Sequence, residues 1–218
     1  MSGRLIYLIR HGERIDNVSH NWQKKSEYKS FKYDNSPLSD RGKVQGKELA
    51  KWFADKEVSH IFVSPFDRTL ETASYMIGDR EIPMKLEASF IEVLYLCEDP
   101  PGVRPKEDLI KKFPLIDTNY KSLIDPWNPK FKNEDLGDDG CFDRCRTAIK
   151  RVLNENEGNI AIVSHAATIR GILKALVGRA TYVGQATVSV ISEEDNTYIP
   201  VTISSADHLS DKSNLRPY

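Results

Sequence analysis

The sequence predicts an α/β fold: a mostly parallel central sheet flanked by helices on both faces, with inserted loops and a late β-hairpin. Three observations carry this prediction. Residues 5–9, 61–63 and 160–163 are short, nearly continuous apolar runs, which is how strands buried on both faces of a parallel sheet read. The latter two each close on a serine, Ser64 or Ser164, and each is followed by a helical pattern. Strand, polar turn and helix in succession form the repeating unit of doubly wound α/β proteins.

The elements follow in order. The first strand covers residues 4–9 and ends where Arg10 and His11 begin. Ser39 is a suitable N-cap for a helix to about Asp55, with Leu49, Trp52 and Phe53 on its apolar face. Pro65 suits the first turn of a second helix, in which Leu70, Ala73 and Ile77 share a face and Gly78 follows as the C′ residue. Phe142, Cys145, Ile149, Val152 and Leu153 keep helical spacing before Gly158, as do Ile169, Ile172, Leu173 and Leu176 before Gly178. Residues 187–191 and 198–203 alternate around the turn Glu194-Asp195-Asn196, which predicts a hairpin at a sheet edge. Residues 17–36 and 97–140 lack this order apart from a short helix near 106–113. Loops of such length are uncommon unless functional, so both read as insertions beside a site.

The 218 residues suit one domain spanning 1–218 with a substantial core. Lys and Arg total 31 against 32 Asp and Glu, a formal charge of -1, which gives no electrostatic reason to expect a nucleic-acid or anionic-membrane partner. Any basic site must then be local. The N-terminal apolar run is too short for a signal-peptide core or a bilayer span, so a cytoplasmic protein without a membrane partner is expected. Cys97, Cys141 and Cys145 are odd in number and suit a reducing compartment; with no His or Cys cluster near Cys141 and Cys145, half-buried thiols are preferred to a zinc site.

Three turns carry chemistry. Arg10-His11-Gly12-Glu13-Arg14 follows the first strand, where ligands of open α/β sheets bind. Two arginines around a histidine are costly to bury without an anion, whereas each guanidinium fork matches a phosphoryl group. Gly12 would let the backbone approach that ligand. A solvated surface turn is the plain alternative. Arg68 falls in the first turn of the second helix, where a cation opposes the helix dipole unless it faces an anion; an exposed ion pair with Glu71 or Glu48 is the ordinary alternative. Ser164-His165-Ala166-Ala167-Thr168 repeats the placement with a second histidine, which on its own would read as structural. Together the turns gather His11, His165, Arg10, Arg14 and Arg68 around one phosphate-sized spot.

These residues resemble a known family. Arg10-His11-Gly12-Glu13, Pro37-Leu38-Ser39-Asp40-Arg41-Gly42, Ser64-Pro65 with Arg68-Thr69, and Val163-Ser164-His165 are similar, in order, to the signatures of the histidine phosphatase, or phosphoglycerate mutase-like, superfamily. Arg14-Ile15-Asp16, Phe90-Ile91-Glu92 and Ile116-Asp117-Thr118-Asn119-Tyr120 resemble the branch holding the suppressor of T-cell receptor signalling (TULA) proteins and the ecdysteroid-phosphate phosphatases. The chain leaves no room for the ubiquitin-associated and SH3 modules of TULA proteins, so their signalling role is not implied.

The resemblance implies a phosphomonoester hydrolase that forms a phosphohistidine on His11 and needs neither metal nor other cofactor. Arg10, Arg14, Arg68 and His165 would bind the phosphoryl oxygens, and Glu92 would be the general acid, with Glu13 and Glu87 as competitors. Glu13 is more readily assigned to holding the arginines or their loop. Substrates would be small-molecule or phosphoprotein phosphomonoesters, including phosphotyrosine and other aromatic or steroid phosphates; Tyr28, Phe31, Tyr33 and Tyr95 are candidates to line the approach. A homodimer through the 187–203 face is a further expectation. Two rivals stand beside this reading. A phosphoglycerate mutase would carry an Arg-His-Tyr-Gly run after its acid, but Glu92 is followed by Val93-Leu94-Tyr95-Leu96. A non-catalytic phosphoprotein-binding scaffold would not need the full polar set.

Overall fold

The computed structural model describes residues 3–195 and 197–216. Six strands are found among them: β1 (Arg4–Arg10), β2 (His60–Val63), β3 (Met84–Leu86), β4 (Ile160–Ser164), β5 (Val188–Glu194) and β6 (Thr197–Ser205). They form one sheet in the order β3-β2-β4-β1-β5-β6. The first four run parallel, and β5 and β6 add an antiparallel edge beside β1. The helices are α1 (Ile15–Val18), α2 (Asp40–Phe53), α3 (Asp67–Ile77), α4 (Lys106–Lys112), α5 (Phe142–Glu155) and α6 (Ala166–Val177).

Alternation along β1 divides the core in two. Tyr7 and Ile9 face one side, where Leu49 and Phe53 of α2, Leu70, Ala73 and Met76 of α3, and Leu109 of α4 pack. Ile6 and Leu8 face the other, against Cys145, Ile149 and Val152 of α5 and Ile169, Ile172 and Leu173 of α6. Helices therefore cover both faces, as the run of apolar strand residues requires.

Several boundaries differ from the sequence reading. The second helix begins at Asp67, not at Pro65: Pro65 lies in the turn, and the Thr69 hydroxyl takes the carbonyls of Ser64 and Phe66 at 2.8 and 2.7 Å. Strand β3 was not anticipated, because three residues are too few to show a period; pairing with β2 and a bridge to Ile116 define it. The hairpin strands run closer to their turn than expected, and Asn196 lies outside the described residues. Gly78 and Gly178 end α3 and α6 with φ of 60° and 72°, the backbone freedom a C′ glycine supplies. The first insertion is not structureless. Ile15, Trp22 and Phe31 are buried together with Tyr28 against them, a small core of its own. No described helix is long and apolar enough to cross a membrane.

Candidate active site

Three adjacent parallel strands deliver the site. In the register of β2, β4 and β1, Val63 pairs with Val163 and Arg10 with Ser164, so Ser64 follows β2 level with Ser164 and Arg10, and His165 and His11 leave the sheet together one residue further on. Backbone bonds hold the first steps beyond the strands, from His11 N to the Ser164 carbonyl at 3.0 Å and from Ser64 N to the Val163 carbonyl at 3.1 Å. The two imidazoles meet with ring centroids 5.3 Å apart at 60°. Glu92, beyond β3, brings its carboxylate within 3.6 Å of His165 Nδ1.

His11 is 1% exposed, and its Nδ1 lies 2.8 Å from the Gly12 carbonyl. A carbonyl only accepts, so Nδ1 carries the proton and Nε2 keeps its lone pair. Burial, then the charges of Arg68, Arg10 and Arg14, hold the His11 ring well below the ordinary imidazole range; the Gly12 carbonyl pulls weakly the other way. His165 is depressed likewise, by burial and then by Arg68, His11, Arg14 and Arg10. Both rings are therefore neutral at pH 7.

Each arginine is held differently. Arg68 is buried, donates to the Asp34 carbonyl at 2.8 Å and lies over the Phe66 ring. The exposed alternative does not occur: Glu71 instead holds Lys112, and Glu48 accepts from Ser210 N. Arg10 donates to the carbonyls of Val183, at 2.7 Å, and Arg216. Arg14 is forked onto Asp16, which Ser36 also engages. Burial draws both Arg10 and Arg68 down to about 10, with Glu92 acting in the opposite sense on each. Among the described residues, Arg10 Nε, Arg68 Nε and His165 Nδ1 are buried without a hydrogen-bond partner. Native structures seldom strand such donors, and the charges of Arg68, Arg10 and Arg14 all act on both imidazoles, which gathers them about one spot. His11, Glu92 and His165 also bring ligand-type atoms within 4.8 Å of one another. The charges of Arg10, Arg14 and Arg68 act on both imidazoles, and that field suits the spot to an anion rather than a metal dication.

The other carboxylates that competed with Glu92 are occupied. Glu13 accepts from the Ser39 hydroxyl at 2.7 Å and Arg41 at 2.9 Å, so it ties the His11 loop to α2 rather than holding Arg10 or Arg14. Glu87 accepts from Tyr120, Ser122, Ser89 N and Leu123 N. Gly12 also has another reason than the ligand: a Cβ there would come 2.9 Å from the Gly42 carbonyl of α2.

Sequence reasoning missed the residues that hold the Glu92 segment. The carbonyls of Phe90 and Ile91 accept from Ser164 and Thr168 hydroxyls at 2.7 and 2.6 Å. Arg144, half-buried on α5, donates to the carbonyls of Ser89, Ile91 and Glu92 and pairs with Glu134 at 2.6 Å. Ser164 and Thr168 lie in the turn already singled out for His165, whereas for Arg144 the hint is an arginine next to Cys145 on an otherwise amphipathic helix. Of the proposed substrate walls, Tyr28 and Phe31 are packing residues, whereas Tyr33 is 71% and Tyr95 43% exposed. Cys141 and Cys145 are buried, free thiols.

A mostly parallel α/β sheet whose strand ends bring two imidazoles, arginines and a carboxylate to one buried spot defines an α/β protein with its polar site beyond the carboxyl ends of parallel strands. The chain matches the model of the histidine phosphatase superfamily (branch 1) over residues 6–200, and it belongs to that superfamily. It is 23% identical over 207 residues to ecdysteroid-phosphate phosphatase of Drosophila melanogaster, covering 80% of this chain and 27% of that relative. The chain thus spans about a quarter of that relative's length. It is 24% identical over 178 residues to phosphoglycerate mutase-like protein 4 of Arabidopsis thaliana, covering 77% of this chain and 68% of the other. The crystal structure of ecdysone phosphate phosphatase from Bombix mori in complex with tungstate shares the fold, with a TM-score of 0.74 at 19% identity and 96% of each chain covered.

Proposed function

We propose that the protein is a phosphomonoester hydrolase that works through a phosphohistidine on His11. The observation that carries the reading is a buried, neutral His11 whose Nδ1 proton is held by the Gly12 carbonyl, leaving Nε2 as a nucleophile among three arginines. Nε2 attacks phosphorus, the bond to the leaving oxygen breaks, and Glu92 gives that oxygen its proton. Glu92 then takes a proton from water as the water attacks the phosphohistidine. The P–N bond breaks, releasing inorganic phosphate and neutral His11. Arg10, Arg14, Arg68 and His165 hold the non-bridging oxygens, and losing one such donor is worth about 2.7 to 4 kcal/mol of transition-state stabilisation. Positive charge comes from the arginines, so the step requires no metal.

Hydrolysis of para-nitrophenyl phosphate by wild type and His11→Ala tests this. Wild type turns over, His11→Ala falls to background, and quenched wild type holds an acid-labile, base-stable phosphoryl group. Equal background rates in both proteins would favour a phosphate-binding scaffold, and efficient conversion of 3-phosphoglycerate to 2-phosphoglycerate with the bisphosphate would favour a mutase. The substrates proposed are phosphotyrosine and other aromatic or steroid phosphates, a class supported by the exposed rings of Tyr33 and Tyr95. A substrate panel without preference for aromatic over sugar phosphates would withdraw that part.

A further inference from the structure

We propose that Ser64 is a positioning residue of this reaction: its buried hydroxyl donates to His165 Nε2 and so fixes the ring proton on Nδ1, facing the phosphoryl group. The inference rests on reading the site as a phosphoryl-transfer centre.

Ser64 and His165 are both fully buried, and Ser64 Oγ lies 2.7 Å from His165 Nε2, its one side-chain partner among the described residues. A buried hydroxyl proton with no acceptor costs about 1–3 kcal/mol, so the hydroxyl donates and Nε2 accepts. The opposite arrangement would strand that proton. It would also turn the Nδ1 lone pair toward the Glu92 carboxylate, 3.6 Å away. Donation from Ser64 instead aims an N–H at Glu92 and at the space where a phosphoryl oxygen would sit, and Nδ1 is the ring nitrogen that lacks a hydrogen-bond partner among the described residues. Burial and the three arginines keep a second proton off the ring.

The serine is rigidly delivered. Its N–H donates to the Val163 carbonyl in the β2–β4 register, and its own carbonyl accepts from Thr69. The His165 ring is packed edge-on by Phe66, with centroids 5.6 Å apart. The two histidines then share one tautomer but present opposite ends to the site. His11 offers a lone pair from Nε2, while His165 offers a proton from Nδ1. Adding a donor without a charge matters here, because a further cation would be repelled by Arg10, Arg14 and Arg68.

The test uses 15N-histidine-labelled protein, with long-range 1H–15N correlations for the tautomer and para-nitrophenyl phosphate turnover for the rate. In wild type, His165 should show a protonated Nδ1 and a bare Nε2. Ser64→Ala should give a mixed tautomer and lower kcat about 10- to 100-fold, as loss of an orienting partner does. Ser64→Thr, which keeps the hydroxyl, should retain the wild-type tautomer. In a His165→Ala background, Ser64→Ala should cost no more than about twofold, since the cycle isolates the coupling. A protonated Nε2 in wild type would overturn the proposal, as would an equal rate loss from Ser64→Ala with and without His165. If wild type and His11→Ala hydrolyse alike, the hydrolase reading fails, and the tautomer spectrum still decides whether Ser64 fixes the proton.

Discussion

Replacing Arg68 by Met should make the protein more stable while destroying its site. Arg68 is 1% exposed, and burial draws its guanidinium from 12.5 down to about 10. Each unit of such a shift corresponds to about 1.4 kcal/mol, so keeping this charge inside the fold costs about 3 kcal/mol relative to water. Against that stand one hydrogen bond to the Asp34 carbonyl, worth about 1 kcal/mol, and the contact with Phe66, worth about 1 kcal/mol. A methionine of similar length fills the space without the charge. The balance favours Arg68→Met by about 1 kcal/mol, or roughly 2–4 °C in melting temperature for a chain of this size. Thermal unfolding in phosphate-free buffer measures it. Vanadate should then raise the melting temperature of wild type and not of the variant, because an anion binding only the folded state stabilises it by mass action. A variant that melts well below wild type without anion, or that gains as much from vanadate, would refute the reasoning.

His11 and His165 are depressed in the folded state, so in the window opening below about pH 6.5 the unfolded chain takes up protons that the folded site refuses. Stability rises with pH wherever the unfolded state binds more protons, so the urea midpoint should fall across that window, and His11→Asn should flatten the slope. Glu92→Gln should lower kcat/KM, which reports the step that phosphorylates His11, by about 10²- to 10⁴-fold for alkyl phosphates and far less for para-nitrophenyl phosphate, because nitrophenolate leaves without a proton. Equal losses on both would remove Glu92 from the acid's role. Gly12→Ala places a methyl 2.9 Å from the Gly42 carbonyl and should lower unfolding stability by about 1–3 kcal/mol, read by urea denaturation.

Much of this arrangement was legible because of where the residues lie. Strands buried on both faces leave continuous apolar runs, and the ends of three of them, at Arg10, Ser64 and Ser164, could be found without knowing their order in the sheet. The strand order explains why those ends converge: β2, β4 and β1 are neighbours with matched register. Nothing in a run of three residues could announce β3, and an N-cap without a side-chain bond, Phe66, gives no mark to separate a helix starting at Asp67 from one starting at Pro65. Gly12 shows a second kind of opacity. Its glycine was read as room for a ligand, whereas the backbone of α2, distant in sequence, is what a side chain would meet.

The insertions matter more to the site than their composition suggests, since each reaches one of its charged groups. The Asp34 carbonyl of the first holds Arg68, and the Asp34 carboxylate accepts from Glu98 and Gly102 N–H groups of the second. Asp67, the residue before Arg68, is fully buried and tied to Asn35, Arg104 and Lys112 from the two insertions. Glu134 binds both Arg144 and the Leu94 N–H, so it fixes the segment that carries Glu92 from either side. Removing one partner of such a buried pair leaves an uncompensated charge, which costs about 3–5 kcal/mol. The sheet therefore sets the positions of His11 and His165, while the insertions add contacts that fix Arg68 on α3 and, through Glu134, the Glu92 segment held by β4, α5 and α6. Changes in loop sequence can move the Arg68 guanidinium and the Glu92 carboxylate relative to a fixed pair of imidazoles.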